Sequence, residues 1–287
     1  MKIHLQGHRG ARGNRPENTF TSIEFALDCQ VDSIETDLHL CADENVILFH
    51  DHFFQSNKSS HQYLINEFTL KSLQTILKTP PQKNMRFPMQ EFQVGPISQI
   101  FCNKHGLNPW APPTLGQFFD FVNFYASTTC HAEEKHPDWR NSASSLCFDL
   151  EIKQLPYLKC KSEIILNVIL EECKKWNLHD RMIVRSFDHN ILEDARRILP
   201  FCKLGLLTDG TIQTNLIKEM RDVGATLFCP KFDTLNNHVV NLMHENHFKV
   251  LPWTANHPDE WQLLERMGVD GITTDYPGEF RKWCFSK

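Results

Sequence analysis

No Cys-x-x-Cys pair occurs among the ten cysteines of this 287-residue chain, which are scattered from Cys29 to Cys284. That spacing excludes the common zinc and dithiol motifs, and the scatter reads as mostly reduced core residues rather than a disulfide framework. No apolar run approaches the ~20 residues that cross a bilayer, so no stable membrane insertion is expected. The opening Met1-Lys2-Ile3-His4-Leu5-Gln6 lacks the apolar stretch and cleavage site of a secretory signal, which points to the cytoplasm. Positive charge is not in excess either. A formal charge of -5 gives no global attraction to nucleic acid or anionic lipid, so any anion must be recognised locally, for which Arg9, Arg12 and Arg15 are available. Gly7, Gly10 and Gly13 fall at intervals of three and do not spell the Gly-x-Gly-x-x-Gly of a dinucleotide fold. His244-Glu245-Asn246-His247 misses the helical zinc spacing His-Glu-x-x-His, which leaves two surface histidines.

What is present is an alternation of short β-rich runs with amphipathic helical ones. Strands are predicted at 3–7, 33–38, 46–50, 146–152, 182–186, 203–207, 226–229, 248–253 and 271–274. Helical periodicity marks 19–29, 68–77, 114–125, 163–176 and 258–267, the last with Pro258 in the first turn and Gly268 just past the end. Alternation over most of the chain implies a parallel sheet buried on both faces. About eight units in this length favour a closed (β/α)8 TIM barrel, with an open doubly wound sheet as the alternative.

One stretch breaks the pattern. Roughly ninety residues separate His50 from the strand near Leu146, and we read about 52–113 as an insertion in a single domain spanning 1–287, covering the active-site face. Seven prolines from Pro80 to Pro113 argue against long elements there. Phe87, Phe92, Phe101 and Trp110 suit either a pocket mouth or a satellite core. The polar run 127–145 reads as an exposed loop.

The chemistry lies at strand ends. Alternate residues of a strand share a face, so Glu35 and Asp37 project together, as do Glu151 and Lys153. Three carboxylates brought within 4 Å would repel by roughly 4 kcal/mol per pair at an effective dielectric near 20, so they need protons or a cation. All-oxygen ligation points to one divalent cation, Mg²⁺ or Ca²⁺, rather than zinc. His8 and His50 each follow a predicted strand and precede a polar turn, which suits an acid/base pair working near neutral pH. Arg9 follows His8, and Lys153 shares a face with Glu151, so each can reach a phosphate oxygen. Glu17 and Asn18 open the first predicted helix, where Asn suits an N-cap. Phe187 and Trp253 stand at later strand ends, and Arg185 has the strand parity opposite to Ser186.

These residues resemble the glycerophosphodiester phosphodiesterase family. The matching segments are His8-Arg9-Gly10, Pro16-Glu17-Asn18-Thr19, Glu35-Thr36-Asp37, His50-Asp51, Glu151-Ile152-Lys153, Ser186-Phe187, Trp253-Thr254 and Asp270-Gly271-Ile272-Thr273-Thr274-Asp275-Tyr276-Pro277, in the family's order. No single segment is specific, but the ordered set is. The insertion after His50 is also a family feature, longer here than usual.

The resemblance implies a barrel that hydrolyses glycerophosphodiesters to sn-glycerol 3-phosphate and an alcohol. Glu35, Asp37 and Glu151 would hold the metal and His8 and His50 would exchange protons, with a cyclic phosphate as intermediate. His8 is expected to serve the leaving group and His50 the glycerol hydroxyl. Arg9, Lys153, Phe187 and Trp253 would contact substrate, with Glu17 and Asn18 behind them. The aromatic insertion also allows a lysophospholipase D-like activity on lysophospholipids. A catalytically silent phosphodiester-binding barrel would require a missing ligand or histidine, and none is missing.

Overall fold

The computed structural model describes residues 3–55, 61–81, 85–128, 138–153, 162–210 and 215–286. The elements, in chain order, are β1 (His4–His8), α1 (Phe20–Asp28), β2 (Ser33–Leu40), β3 (Val46–Leu48), β4 (Phe53–Gln55), β5 (Gln62–Leu64), α2 (Leu70–Ile76), α3 (Pro96–His105), α4 (Leu115–Ser127), α5 (Trp139–Ser144), β6 (Cys147–Ile152), α6 (Ser162–Trp176), β7 (Met182–Ser186), α7 (His189–Ile198), β8 (Lys203–Thr208), α8 (Leu216–Val223), β9 (Leu227–Pro230), α9 (Asn237–Glu245), β10 (Lys249–Val250), α10 (Pro258–Met267), β11 (Gly271–Thr274) and α11 (Pro277–Phe285). Eight parallel strands follow the order β10-β9-β8-β7-β6-β2-β1-β11. Across the remaining seam the Asp270 amide donates to the Val250 carbonyl and the Thr273 amide to that of Pro252, each at 3.0 Å. The chain is a (β/α)8 barrel of the TIM type, as the alternation predicted.

The predicted strand 46–50 is real but is not a stave. β3 runs antiparallel to β2, pairing Leu48 with Leu38, because the five-residue link from Cys41 to Asn45 can close a hairpin but not a parallel crossover. The proline-rich stretch also holds an element the sequence argued against. Pro96 sits in the first turn of α3 and Gly106 caps its end at φ 66°, so the proline starts a helix there rather than breaking one. Phe101 on α3 packs edge-to-face on Phe20 at 5.2 Å, placing that aromatic in the main core against the outer barrel wall. The run 127–145 is not an open loop throughout. Ser127 closes α4, residues 129–137 lie outside the described residues, and Trp139 begins α5 buried edge-on against Tyr125 at 5.1 Å. Trp139 supplies an apolar anchor that a polar average concealed.

Most of the core lies between the strands and their helices. Inside the barrel, Ile183, Leu207, Leu227, Cys229 and Leu251 form a smaller apolar cluster. Beside it lies a fully buried polar group. Arg185 donates through Nε to Asp149 (2.6 Å) and through Nη2 both to Asp149 and to Gln6 Oε1 (2.9 Å), while Gln6 Nε2 donates to Asp149 (2.7 Å) and Thr273 Oγ1 to Gln6 Oε1 (2.7 Å). Gly205 faces this group, and a Cβ there would lie 3.2 Å from Arg185 Cβ.

Breaking such a pair strands a buried charge, at about 3–5 kcal/mol. Asp149→Asn is therefore expected to lower the urea midpoint with an unchanged slope, and Asp149→Leu with Arg185→Met to recover much of the loss. A melt of Asp149→Asn indistinguishable from wild type would contradict the structural weight given to this pair.

Among the described residues, Cys29, Cys41, Cys102, Cys147, Cys173, Cys202 and Cys229 are free thiols. Among those residues no helix is long and apolar enough to cross a membrane.

Candidate active site

The register of β2 against β6 sets Asp37 opposite Glu151, and both strands present their odd-numbered residues to the barrel interior. Ligating oxygens of Glu35, Asp37 and Glu151 consequently lie within 4.8 Å of one another, all three side chains buried. Burial, then the neighbouring charges of Asp37 and Glu151, push the Glu35 carboxyl well above its usual range. Glu151 is pushed up by burial and Asp37, with Lys153 opposing. Burial would raise Asp37 too, but Arg9 and Lys153 outweigh it and hold that carboxylate below the ordinary range.

Glu35 Oε1 and Asp37 Oδ1 are buried without a hydrogen bond. Orphaned oxygens at this spacing, in an all-carboxylate set, fit a hard divalent cation with oxygen ligands at ~2.0–2.6 Å. Glu35 Oε1 has no donor at all and Asp37 Oδ1 only the Lys153 ammonium at 3.3 Å, so these two acceptors are the ones a metal cation or a proton would satisfy.

His8 ends β1, its Nδ1 2.6 Å from Asp275 Oδ1 and its Nε2 3.8 Å from Glu35 Oε2. The carboxylate only accepts, so Nδ1 carries the hydrogen. Burial, reinforced by Arg12 and opposed by Asp275, pushes the imidazole down to about 3. Asp275 is held below the usual carboxylate range, because His8 and Arg12 outweigh its burial. Arg12 Nε, 2.9 Å from the same oxygen, is a permanent cation that keeps Asp275 ionised. His8 directs its Nε2 toward the carboxylates. His50, beyond β3, has its own carboxylate, with Nδ1 2.6 Å from Asp51 Oδ1. Both rings thus have one nitrogen fixed and the other available.

The predicted cations converge on the same acids. Arg9, at φ 51°, has Nε 3.1 Å from Asp37 Oδ2, donates from Nη1 to Glu17 (2.9 Å) and gives its backbone amide to Glu35 Oε2 (3.1 Å). Lys153 Nζ lies 2.6 Å from Glu151 and 3.3 Å from Asp37. Asn18 does not cap α1. Thr19 does, accepting from the Ser22 amide, and Asn18 at φ 54° instead donates from Nδ2 to Asp37 at 2.9 Å. Phe187 and Trp253 form a separate edge-to-face pair at 5.8 Å, with Phe187 43% exposed.

Three features escaped the sequence reading. Arg185 points into the barrel opposite Glu151 and is consumed by Asp149, which strand parity alone could not tell. Asp275 lay inside a matching segment, but only closure of the barrel brings β11 beside β1 and its carboxylate onto His8. Asp51 was visible as the neighbour of His50, though its contact with Nδ1 depends on the turn.

A cavity of about 740 Å³ opens against His50, Asp51, Glu17 and Asn18, its far walls including Phe53, Ile76, Leu77, Phe87 and Trp110. Within 52–113, residues on either side of α2 form this wall, whereas α3 packs on the outer barrel.

Residues 8–279 match the model of the Glycerophosphoryl diester phosphodiesterase family. A glycerophosphodiester phosphodiesterase of Caldanaerobacter subterraneus is 24% identical over 282 residues, covering 96% of each chain. Among solved structures, one from Silicibacter pomeroyi superposes with a TM-score of 0.80 at 23% identity, covering 99% of this chain and 93% of that one. An Oleispira antarctica phosphodiesterase in complex with the product sn-glycerol-3-phosphate gives 0.74 at 19% identity, covering 98% and 96%. With a family model spanning nearly the whole chain, over a barrel whose strand ends gather the three acids described above, the chain belongs to the glycerophosphoryl diester phosphodiesterase family and is an enzyme of that class.

Proposed function

We propose that this chain carries out metal-dependent hydrolysis of glycerophosphodiesters to sn-glycerol 3-phosphate and an alcohol, with His8 and His50 as its proton-transfer pair. The observation that carries the reading is the buried triad of Glu35, Asp37 and Glu151, with orphaned oxygens, beside a histidine whose Nε2 is free. Glu35, Asp37 and Glu151 would hold a divalent cation, Mg²⁺ or Ca²⁺, which when bound would supply Lewis acidity against the charge building at phosphorus. Three carboxylates against one dication leave a single negative charge and the diester adds another. Arg9 and Lys153 bring the two compensating positive charges, shared between the acids and the phosphate oxygens.

Following the resemblance, we assign His50 the proton of the glycerol 2-hydroxyl and His8 the departing oxygen, with Asp275 steadying the His8 imidazolium at Nδ1. The hydroxyl attacks phosphorus as the alcohol leaves, the cyclic phosphate is opened by water, and the histidines exchange roles. Asn18 orients Asp37, Glu17 restrains Arg9, and Phe187 and Trp253 suit contact with the glycerol carbons. We place the reaction in the cytoplasm, whose reducing conditions suit the seven free thiols named above, within one domain whose insertion walls the substrate cavity.

The test is a product assay on a panel of glycerophosphodiesters with and without chelator. Glycerol 3-phosphate is expected only when Mg²⁺ or Ca²⁺ is present, and turnover indifferent to chelator would remove the metal from the mechanism. The apolar wall of the His50 cavity favours a second reading, in which a lysophospholipid is cleaved in the manner of a lysophospholipase D. No release of choline from micellar lysophosphatidylcholine would rule that reading out.

A further inference from the structure

Three successive inward-facing positions of β2 are occupied by Glu35, Asp37 and His39, and only the first two are accounted for by a metal site. His39 is 5% exposed, and its Nε2 lies 3.1 Å from the backbone carbonyl of His50. A carbonyl only accepts, so Nε2 carries the hydrogen and donates. The ring also packs edge-to-face on His52 with centroids 5.0 Å apart.

The location explains why such a contact matters. His50 is not on a barrel strand. The β2–β3 ladder ends at Leu38–Leu48, and the Phe49 amide makes one further bond to the Asp37 carbonyl at 3.0 Å. Beyond that point the backbone leaves the sheet and runs toward the insertion. The side-chain partner of His50, Asp51, is itself largely exposed and belongs to the same turn, so it fixes the ring relative to the turn but not the turn relative to the barrel. His39 makes that second connection, from the strand that carries Glu35 and Asp37.

We infer that His39 is a positioning residue: its Nε2–H bond to the His50 carbonyl ties the turn bearing the proposed proton-transfer histidine to the strand bearing the proposed metal ligands, so that both keep one geometry. This rests on the functional reading given above. A misplacement of about 1 Å in a catalytic group can cost ~100-fold in rate, whereas substrate affinity set elsewhere is little affected.

The informative variants are His39→Met, which keeps bulk and loses the donor, and His39→Gln, whose amide can still donate at similar reach. For His39→Met, kcat is expected to fall about tenfold to a hundredfold with KM within about twofold, and His39→Gln is expected to retain most of kcat. Thermal stabilisation by Mg²⁺ or Ca²⁺ should be equal in wild type and both variants, which separates loss of positioning from damage to the acid cluster. In a His50→Ala background, His39→Met should have no further effect on residual turnover. Full kcat in His39→Met, or an undiminished additional loss in the His50→Ala background, would overturn the inference.

Amide hydrogen exchange across 49–52 gives a readout that needs no substrate. It is expected to rise several-fold in His39→Met and not in His39→Gln. Equal exchange in all three proteins would overturn the inference even if no glycerophosphodiester were cleaved, whereas the expected pattern in a protein without that activity would leave the strut standing and refute the reaction.

Discussion

His50→Ala is expected to lower kcat toward glycerophosphodiesters at least about a hundredfold, equivalent to about 2.7 kcal/mol of lost transition-state stabilisation. The imidazole is about a third exposed and its ring contact is with Asp51 in the adjacent position, so little packing is lost with it. The melting temperature should accordingly stay close to that of wild type, and stabilisation by added metal should survive, because no oxygen of the acid cluster comes from this residue. Steady-state kinetics beside a thermal melt separates the outcomes. Near-wild-type turnover would take His50 out of the chemistry, and a collapse of the melt would make the rate uninterpretable as catalysis.

Glu35→Gln should abolish metal-dependent stabilisation and reduce turnover by a similar factor or more, and it should leave a pH signature in the metal-free protein. Native Glu35 holds its proton more tightly than the unfolded chain does, since burial and two neighbouring carboxylates raise it. The native state therefore binds more protons than the unfolded state above the ordinary glutamate range. Stability falls as pH rises from there toward the native titration point. The neutral amide that replaces the carboxyl does not titrate. In chelator, the variant should thus become progressively more stable than wild type as pH is raised above the ordinary glutamate range.

Comparison with the variant also cancels His39, whose depressed value acts the opposite way below about 6.5. Saturating Mg²⁺ or Ca²⁺ should restore wild type by about 2.7 kcal/mol at a hundredfold excess over Kd, and leave the variant where it was. Parallel melts of the two proteins across pH, or equal responses to metal, would show that Glu35 is neither strained by its neighbours nor a ligand.

The local order of this chain was legible because its signals are local. Strand parity placed Glu35 with Asp37 and Glu151 with Lys153, and Pro258 with Gly268 bounded α10 as read. Where reading failed, the deciding signal was a single residue outvoted by its surroundings: Pro96 among breakers, Trp139 in a polar run and Thr19 behind a better-known cap.

By itself, then, the sequence determined the alternation that closes into a barrel, and which acids and histidines stand at strand ends, since both follow from periods of two and 3.6 within a few residues. Only the tertiary structure decided which of those groups meet. The registers of β2 on β6 and β1 on β11, set by closure of the whole sheet, brought Asp37 against Glu151 and Asp275 onto His8. They also sank Arg185 beneath the site on Asp149 and hung the His50 turn from His39. These contacts span up to 267 positions of chain, and their energies depend on burial and on distances that no local pattern encodes.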